Sequence, residues 1–150
     1  MHAWVAAGAG FLIAVLWFDL MFDVQTRKYI GEQLPAEVLS SISAYYRRVT
    51  LEAWPMNRLI AVVMVLTLLA IVFEIVHGAD RWWVDWISFA AAACAIGLAR
   101  VRTVPSAMQL GRAADPPEVQ TRLARVIYRD HLCCLAAIVV VLGLQLGAAL

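Results

Sequence analysis

The chain has 150 residues, 63% of them apolar and 15% charged, and a formal net charge of +1. A soluble domain carries about one charged residue in four, so a surface this apolar, with a mean hydropathy of +0.78, implies lipid as the solvent. The net charge argues against a nucleic-acid partner, which would need a clustered basic surface.

The first apolar run, about Ala3 to Phe22, is long enough to cross roughly 30 Å of hydrocarbon at about 1.5 Å per residue. No basic segment precedes it, and Arg27 and Lys28 follow it. That pattern predicts an uncleaved anchor, not a secretory leader. Asp19 and Asp23 close this run at i and i+4, on one helix face. The helix is expected to continue to about Ile30 and to stop at Gly31. Pro35, followed by Glu37, reads as a new helix start. Val38, Ile42, Tyr45 or Tyr46, and Val49 then recur at helical spacing, giving an amphipathic segment that faces either the membrane surface or neighbouring helices. It runs into Trp54-Pro55, where proline marks a kink or a fresh first turn.

The second span covers about Met56 to Val76 and leads into a tight loop from His77 to Arg81 that includes Asp80. The third covers about Trp82 to Ala99 and carries on past Arg100, Arg102 and Pro105 to Gly111. Asp115-Pro116-Pro117-Glu118 combines a capping side chain, first-turn prolines and a carboxylate at the positive helix end. An apolar stripe of Val119, Leu123, Val126 and Ile127 then enters the last span, about Leu132 to Leu150. The expected fold is all-α, one integral-membrane four-helix bundle whose two helical hairpins extend into the cytoplasm. At an offset of about 81 residues, Pro35, Glu37, Val38, Ile42 and Arg48 echo Pro116, Glu118, Val119, Leu123 and Arg129; chance likeness of two amphipathic helices and duplication are both open readings.

Arginine orients the whole. Arg27, Lys28, Arg47, Arg48, Arg58, Arg100, Arg102, Arg112, Arg122, Arg125 and Arg129 fall on one side, and Arg81 alone on the other. The positive-inside rule then places both termini in the periplasm and both long loops in the cytoplasm of a cell with an inner membrane. Trp4, Trp82, Trp83 and Trp86 fall at the outer boundary, Trp17 and Trp54 near the inner one, as an aromatic belt requires.

Four spans deliver polar groups to the inner boundary: Asp19 and Asp23, Asn57 and Arg58, Arg100 and Arg102, and Arg129, Asp130 and His131. An unpaired carboxylate inside the apolar run costs on the order of 3 kcal/mol near the bilayer centre and less here, so Asp19 is expected to turn inward and meet Arg58 or Arg100. Such a layer reads either as ion pairs that set helix register or as a gate, a proton site or an anion site. On the outer side Glu74 and His77 stand at i and i+3, with Asp80, Asp85 and His2 nearby. One Glu-x-x-His pair falls short of the duplicated motif of di-iron bundles, so a solvated helix end is the plainer reading and no metal is expected. His77 and His131 fall on opposite sides and cannot share a haem iron, and no cofactor is expected. Cys94, Cys133 and Cys134 form neither a disulfide framework nor a metal-ligand spacing. Small residues repeat at four-residue spacing, Ala6-Gly10-Ala14, Ala91-Ala95-Ala99 and Gly143-Gly147, which lets helices approach closely in lipid. Packing within the bundle is the plainer reading of these stripes, Gly10, Ala95, Gly143 and Gly147 included; a contact in a homodimer or larger membrane complex is the alternative, with Gly143-Leu-Gln-Leu-Gly147 its best candidate.

No phosphate loop, nucleophile elbow or His-Glu-x-x-His motif is present. Pro55-Met56-Asn57-Arg58 at the second span and Arg129-Asp130-His131 at the fourth give a layout that resembles the small four-span bacterial inner-membrane proteins grouped around anthrone-oxygenase-like families. The resemblance covers the whole chain as topology and implies no catalytic residue. The sequence thus favours a non-catalytic accessory or scaffold subunit. A small-solute or ion pathway formed by an oligomer is the alternative, and a membrane redox or metal enzyme the second alternative.

Overall fold

A computed structural model describes residues 2–78 and 81–149. Every regular element among them is helical. Helix α1 spans His2–Asp23 and tightens into 3₁₀ turns over Val24–Tyr29. It ends where Gly31 takes a φ of +82°, a left-handed conformation that glycine adopts without steric cost. Helix α2, Ala36–Tyr46, starts directly after Pro35 and loosens into π turns over Arg47–Glu52. Helix α3, Trp54–His77, carries Pro55 in its first turn, where the missing N–H has no partner to lose. Helix α4, Trp82–Leu98, passes through π turns at Ala99–Thr103 into α5, Val104–Arg112. Helix α6, Pro117–Ala149, is unbroken and about 50 Å long. Of the loop after α3, Ala79 and Asp80 lie outside the described residues, as does Leu150 at the end of the last span.

The stretches His2–Tyr29, Trp54–His77, Trp82–Arg112 and Pro117–Ala149 are each long and apolar enough to cross a membrane. The protein is an all-helical, multi-pass membrane bundle. Its outward faces are what lipid demands: Val62, Val65, Leu66, Leu69 and Val139 are all exposed, as are Trp4, Trp82, Trp83 and Trp86 at one end and Trp17 and Trp54 toward the other.

Two separate apolar cores sit along the bundle. The first joins Val5, Ala9 and Leu12 of α1, Ile71 of α3, Ala92 and Ala95 of α4, and Cys134, Ile138 and Val141 of α6. The second, at the hairpin end, joins Leu34, Leu39, Ile42 and Tyr46 to Ala107, Leu110, Ala124 and Ile127. The amphipathic segment thus packs on α5 and α6 instead of lying on a membrane surface, and the two hairpin tips form one small helical head. The close approach is made at Gly111, where a Cβ would come within 2.8 Å of the Arg47 backbone nitrogen. The first tip is pinned to α6 by backbone contacts. Arg125 donates to the carbonyls of Tyr29, at 2.6 Å, and Glu32, and the Leu34 N–H donates to Thr121 Oγ1 at 3.2 Å.

Helix α6 serves both cores. Its buried positions, among them Thr121, Ala124, Ile127, His131, Cys134, Ile138 and Val141, recur every three or four residues along one face. The second hairpin ends its descending helix on Ala113, whose φ is +51°. Among the described residues Gly31 and Ala113 alone have positive φ, and they stand at nearly the offset of the internal echo. The halves diverge at Ala53, where the first breaks between α2 and α3 while α6 runs through.

The small-residue stripes pack differently from expectation. Ala95 is buried, but Gly10, Gly143 and Gly147 have no intrachain neighbour where a side chain would project. The close helix approach on α1 is made by Gly8, at which a Cβ would overlap the Thr67 hydroxyl. The buried face of α1 runs through Val5, Ala9 and Leu12, and Gly10 is off that line.

Candidate functional site

The polar layer forms where α1, α2 and α6 meet, between the two cores. Asp23 is fully buried. One of its oxygens accepts the Tyr46 hydroxyl at 2.7 Å and the other accepts His131 Nδ1, also at 2.7 Å. One turn earlier Asp19 accepts the Tyr45 hydroxyl at 2.7 Å, and its other oxygen lies 3.8 Å from His131 Nε2. The imidazole therefore stands between two carboxylates, each held from the far side by one of two consecutive tyrosines. A carboxylate only accepts, so Nδ1 carries the hydrogen on the Asp23 side. The Tyr45 ring stacks on Phe22 with centroids 4.0 Å apart, which fixes the phenol over α1.

Both phenols sit outside the spans and both hold their protons above the ordinary tyrosine range. For Tyr45 burial is the larger cause and the Asp19 charge the next. For Tyr46 burial leads again, followed by the charges of Asp23 and Asp19. Each phenol is thereby kept as a donor, the role the adjacent carboxylate needs.

A second knot lies beside the first. Asp130 is buried and accepts Arg102 Nε at 2.8 Å, with Arg102 Nη2 on its other oxygen. The Thr103 hydroxyl adds a third donor at 3.2 Å. Arg102 itself reaches outward, with its side chain 57% exposed, so the pair joins buried α6 to the outer face of the π turns after α4.

The expected ion pairs of Asp19 with Arg58 or Arg100 do not form. Arg58 stacks over Trp54, 4.5 Å from the ring centroid, and Arg100 is exposed. Asn57 donates to the Thr50 carbonyl at 3.4 Å, capping the π turns that precede α3. Asp19, Asp23 and His131 are thus brought together, Asp130 makes a separate knot with Arg102 and Thr103, and Asn57, Arg58 and Arg100 stand apart. The residues missed by sequence reasoning are Tyr45 and Tyr46. Their signal was present: two phenols on an amphipathic segment directly after a helix ending in two carboxylates.

At the opposite end, where a solvated helix end is the plainer expectation, Glu74 is buried and His77 is not among its neighbours. His77 is exposed, stacked on Phe73 at 4.0 Å and bonded to the Phe73 carbonyl at 3.0 Å. Glu74 turns inward toward His2 and Asp85, whose ligand-capable atoms together with its own all lie within 4.8 Å of one another. The three cysteines are free thiols, Cys94 and Cys133 exposed and Cys134 buried against the Ala95 carbonyl.

No protein-family model, curated protein or solved structure matches the chain.

Proposed function

We propose that this protein is a non-catalytic accessory or scaffold subunit of a bacterial inner membrane, of the small four-span class its layout resembles. In this reading both termini face the periplasm, and the head built from α2, α5 and the first half of α6 stands in the cytoplasm as the platform for other components. The basic residues support that orientation, since all but Arg81 belong to the hairpin end or its approaches. Gly143 and Gly147, exposed and without intrachain neighbours, suit the approach of a helix from a second subunit.

The observation that carries the proposal is the relation between the two polar ends. The inner layer has its buried carboxylates fully engaged by donors on other helices. Between it and the outer cluster lies an aliphatic plug of Val5, Ala9, Leu12, Ile71, Ala92 and Ile138. A single chain so plugged offers an ion or polar solute no line of polar groups, and a satisfied clamp suits a part that must hold its shape.

The test is native mass spectrometry of the protein drawn from its own membranes in mild detergent, paired with flux assays in proteoliposomes. The expected result is a heteromeric species of fixed stoichiometry and no proton or solute flux above that of empty vesicles. A lone monomer or homo-oligomer whose flux falls in Asp19→Asn would overturn the proposal in favour of an oligomeric pathway.

A further inference from the structure

We propose that the outer end of the bundle is a binding site for one divalent transition-metal ion of the zinc class, held by His2, Glu74 and Asp85. The three residues come from three helices, α1, α3 and α4, and converge at ligand distance from one another. Glu74 and Asp85 are each only 4% exposed. Both Glu74 carboxylate oxygens and Asp85 Oδ1 are buried without any hydrogen-bond partner, and they are the only buried side-chain oxygens or nitrogens left so among the described residues. The inner carboxylates all have donors, so the set at the outer end is a local departure from the rule that buried polar atoms are hydrogen-bonded.

The surroundings prepare the set for a cation. His2 Nδ1 lies 3.5 Å from Glu74 Oε2 and donates to Gln145 Oε1 at 2.7 Å, while Gln145 Nε2 donates to Ser88 Oγ at 3.2 Å. Because Gln145 holds the hydrogen on Nδ1, Nε2 is the nitrogen left with a lone pair for an ion, and the buried carboxamide fixes the ring as an outer-shell partner does. The nearest arginine, Arg81, donates to the Gly147 carbonyl at 2.9 Å and makes no bond to either carboxylate. Gly78 packs closely on Asp85, since a Cβ there would come within 3.3 Å of Asp85 Oδ2. His2 is half-buried, at 31% side-chain exposure. One imidazole and two carboxylates neutralise a divalent ion and match the nitrogen and oxygen donors that zinc accepts.

The inference stands apart from the scaffold reading, and each survives the failure of the other. The experiment uses the full chain in detergent micelles, its affinity tag removed and its metal stripped with chelator. Zn²⁺ binding is followed by calorimetry and by the rise in thermal midpoint, and Co²⁺ by its visible d–d absorption. The expected result is one equivalent of either ion per chain. Affinity falls at least about tenfold in Glu74→Gln, in Asp85→Asn and in His2→Ala, and is unchanged in His77→Ala. His2→Ala alters a half-exposed residue at the start of α1, so it keeps the test valid if a buried-carboxylate variant fails to fold. Absence of binding by both ions, binding that survives His2→Ala, or binding lost in His77→Ala overturns the proposal.

Discussion

Asp23 and His131 stand 108 positions apart in the chain and meet at 2.7 Å with both side chains buried. That contact ties α1 to α6, and Tyr46 ties α2 to the same carboxylate. Truncating Asp23 to alanine leaves an imidazole and a phenol buried without their acceptor. The expected loss is about 3 kcal/mol, with about 2 kcal/mol for Tyr46→Phe, read by reversible unfolding in mixed micelles. A double-mutant cycle of Asp23 with His131 is expected to give a coupling above about 1 kcal/mol. The cycle of Asp19 with Arg58 is expected to be additive, because Arg58 is engaged with Trp54.

Alkaline pH reads the two tyrosines. An unfolded phenol ionises near about pH 10, whereas burial and the neighbouring carboxylates keep Tyr45 and Tyr46 protonated beyond that in the folded protein. Above about pH 10 the unfolded chain therefore binds fewer protons than the native one, and stability falls as pH rises. Below it, both states hold the proton and this contribution is constant. Tyrosinate absorbance should show these two phenols silent until the protein unfolds, and Tyr46→Phe should flatten the alkaline fall in stability.

The pair of Arg102 and Asp130 should respond unequally to removal of its members. Asp130 is buried, while the Arg102 side chain is more than half exposed. Arg102→Ala strands a buried carboxylate with only Thr103 beside it. Asp130→Ala releases an arginine whose side chain is already more than half exposed. The arginine variant should therefore have the lower thermal midpoint of the two, a ranking that differential scanning fluorimetry reports directly.

Helix approach on α1 can be separated by glycine position. Gly8→Val pushes a side chain into Thr67 and should destabilise by about 1–3 kcal/mol. Gly10→Val enters open space and should stay within about 0.5 kcal/mol of the parent. Gly143→Leu should likewise leave the monomer's unfolding unchanged, and crosslinking then reports whether a second subunit uses that strip.

Much of this architecture could be read from residue order. The apolar runs, the Gly31 stop, the start at Pro35 and the Asp115-Pro116-Pro117 turn each act through local chemistry and lie where it places them, although the Asp115 carboxylate accepts from Gln109 Nε2 instead of capping α6. The inner layer was legible only as a depth. Charge-matching leads from Asp19 to an arginine, but the arginine of that level which pairs with a buried carboxylate is Arg102, and its partner is Asp130. The π turns at Ala99–Thr103 change the phase of the helix face just there, and nothing in the local sequence announces them. Tyr45 and Tyr46 escaped for a different reason. Their role depends on α2 standing against α5 and α6, a tertiary choice between two surfaces that an amphipathic stripe suits equally. The spacing of Gly10 likewise identified a small residue without identifying which face of α1 looks inward.

During synthesis α6 leaves the ribosome after every element it pairs with. Until it inserts, Asp23 lacks its imidazole, Arg102 its carboxylate, the Leu34 amide its hydroxyl, and neither hydrophobic layer is closed. Assembly of membrane bundle and head is therefore a single late event, and nascent chains halted before Pro117 should present a quality-control protease with both halves unfinished at once.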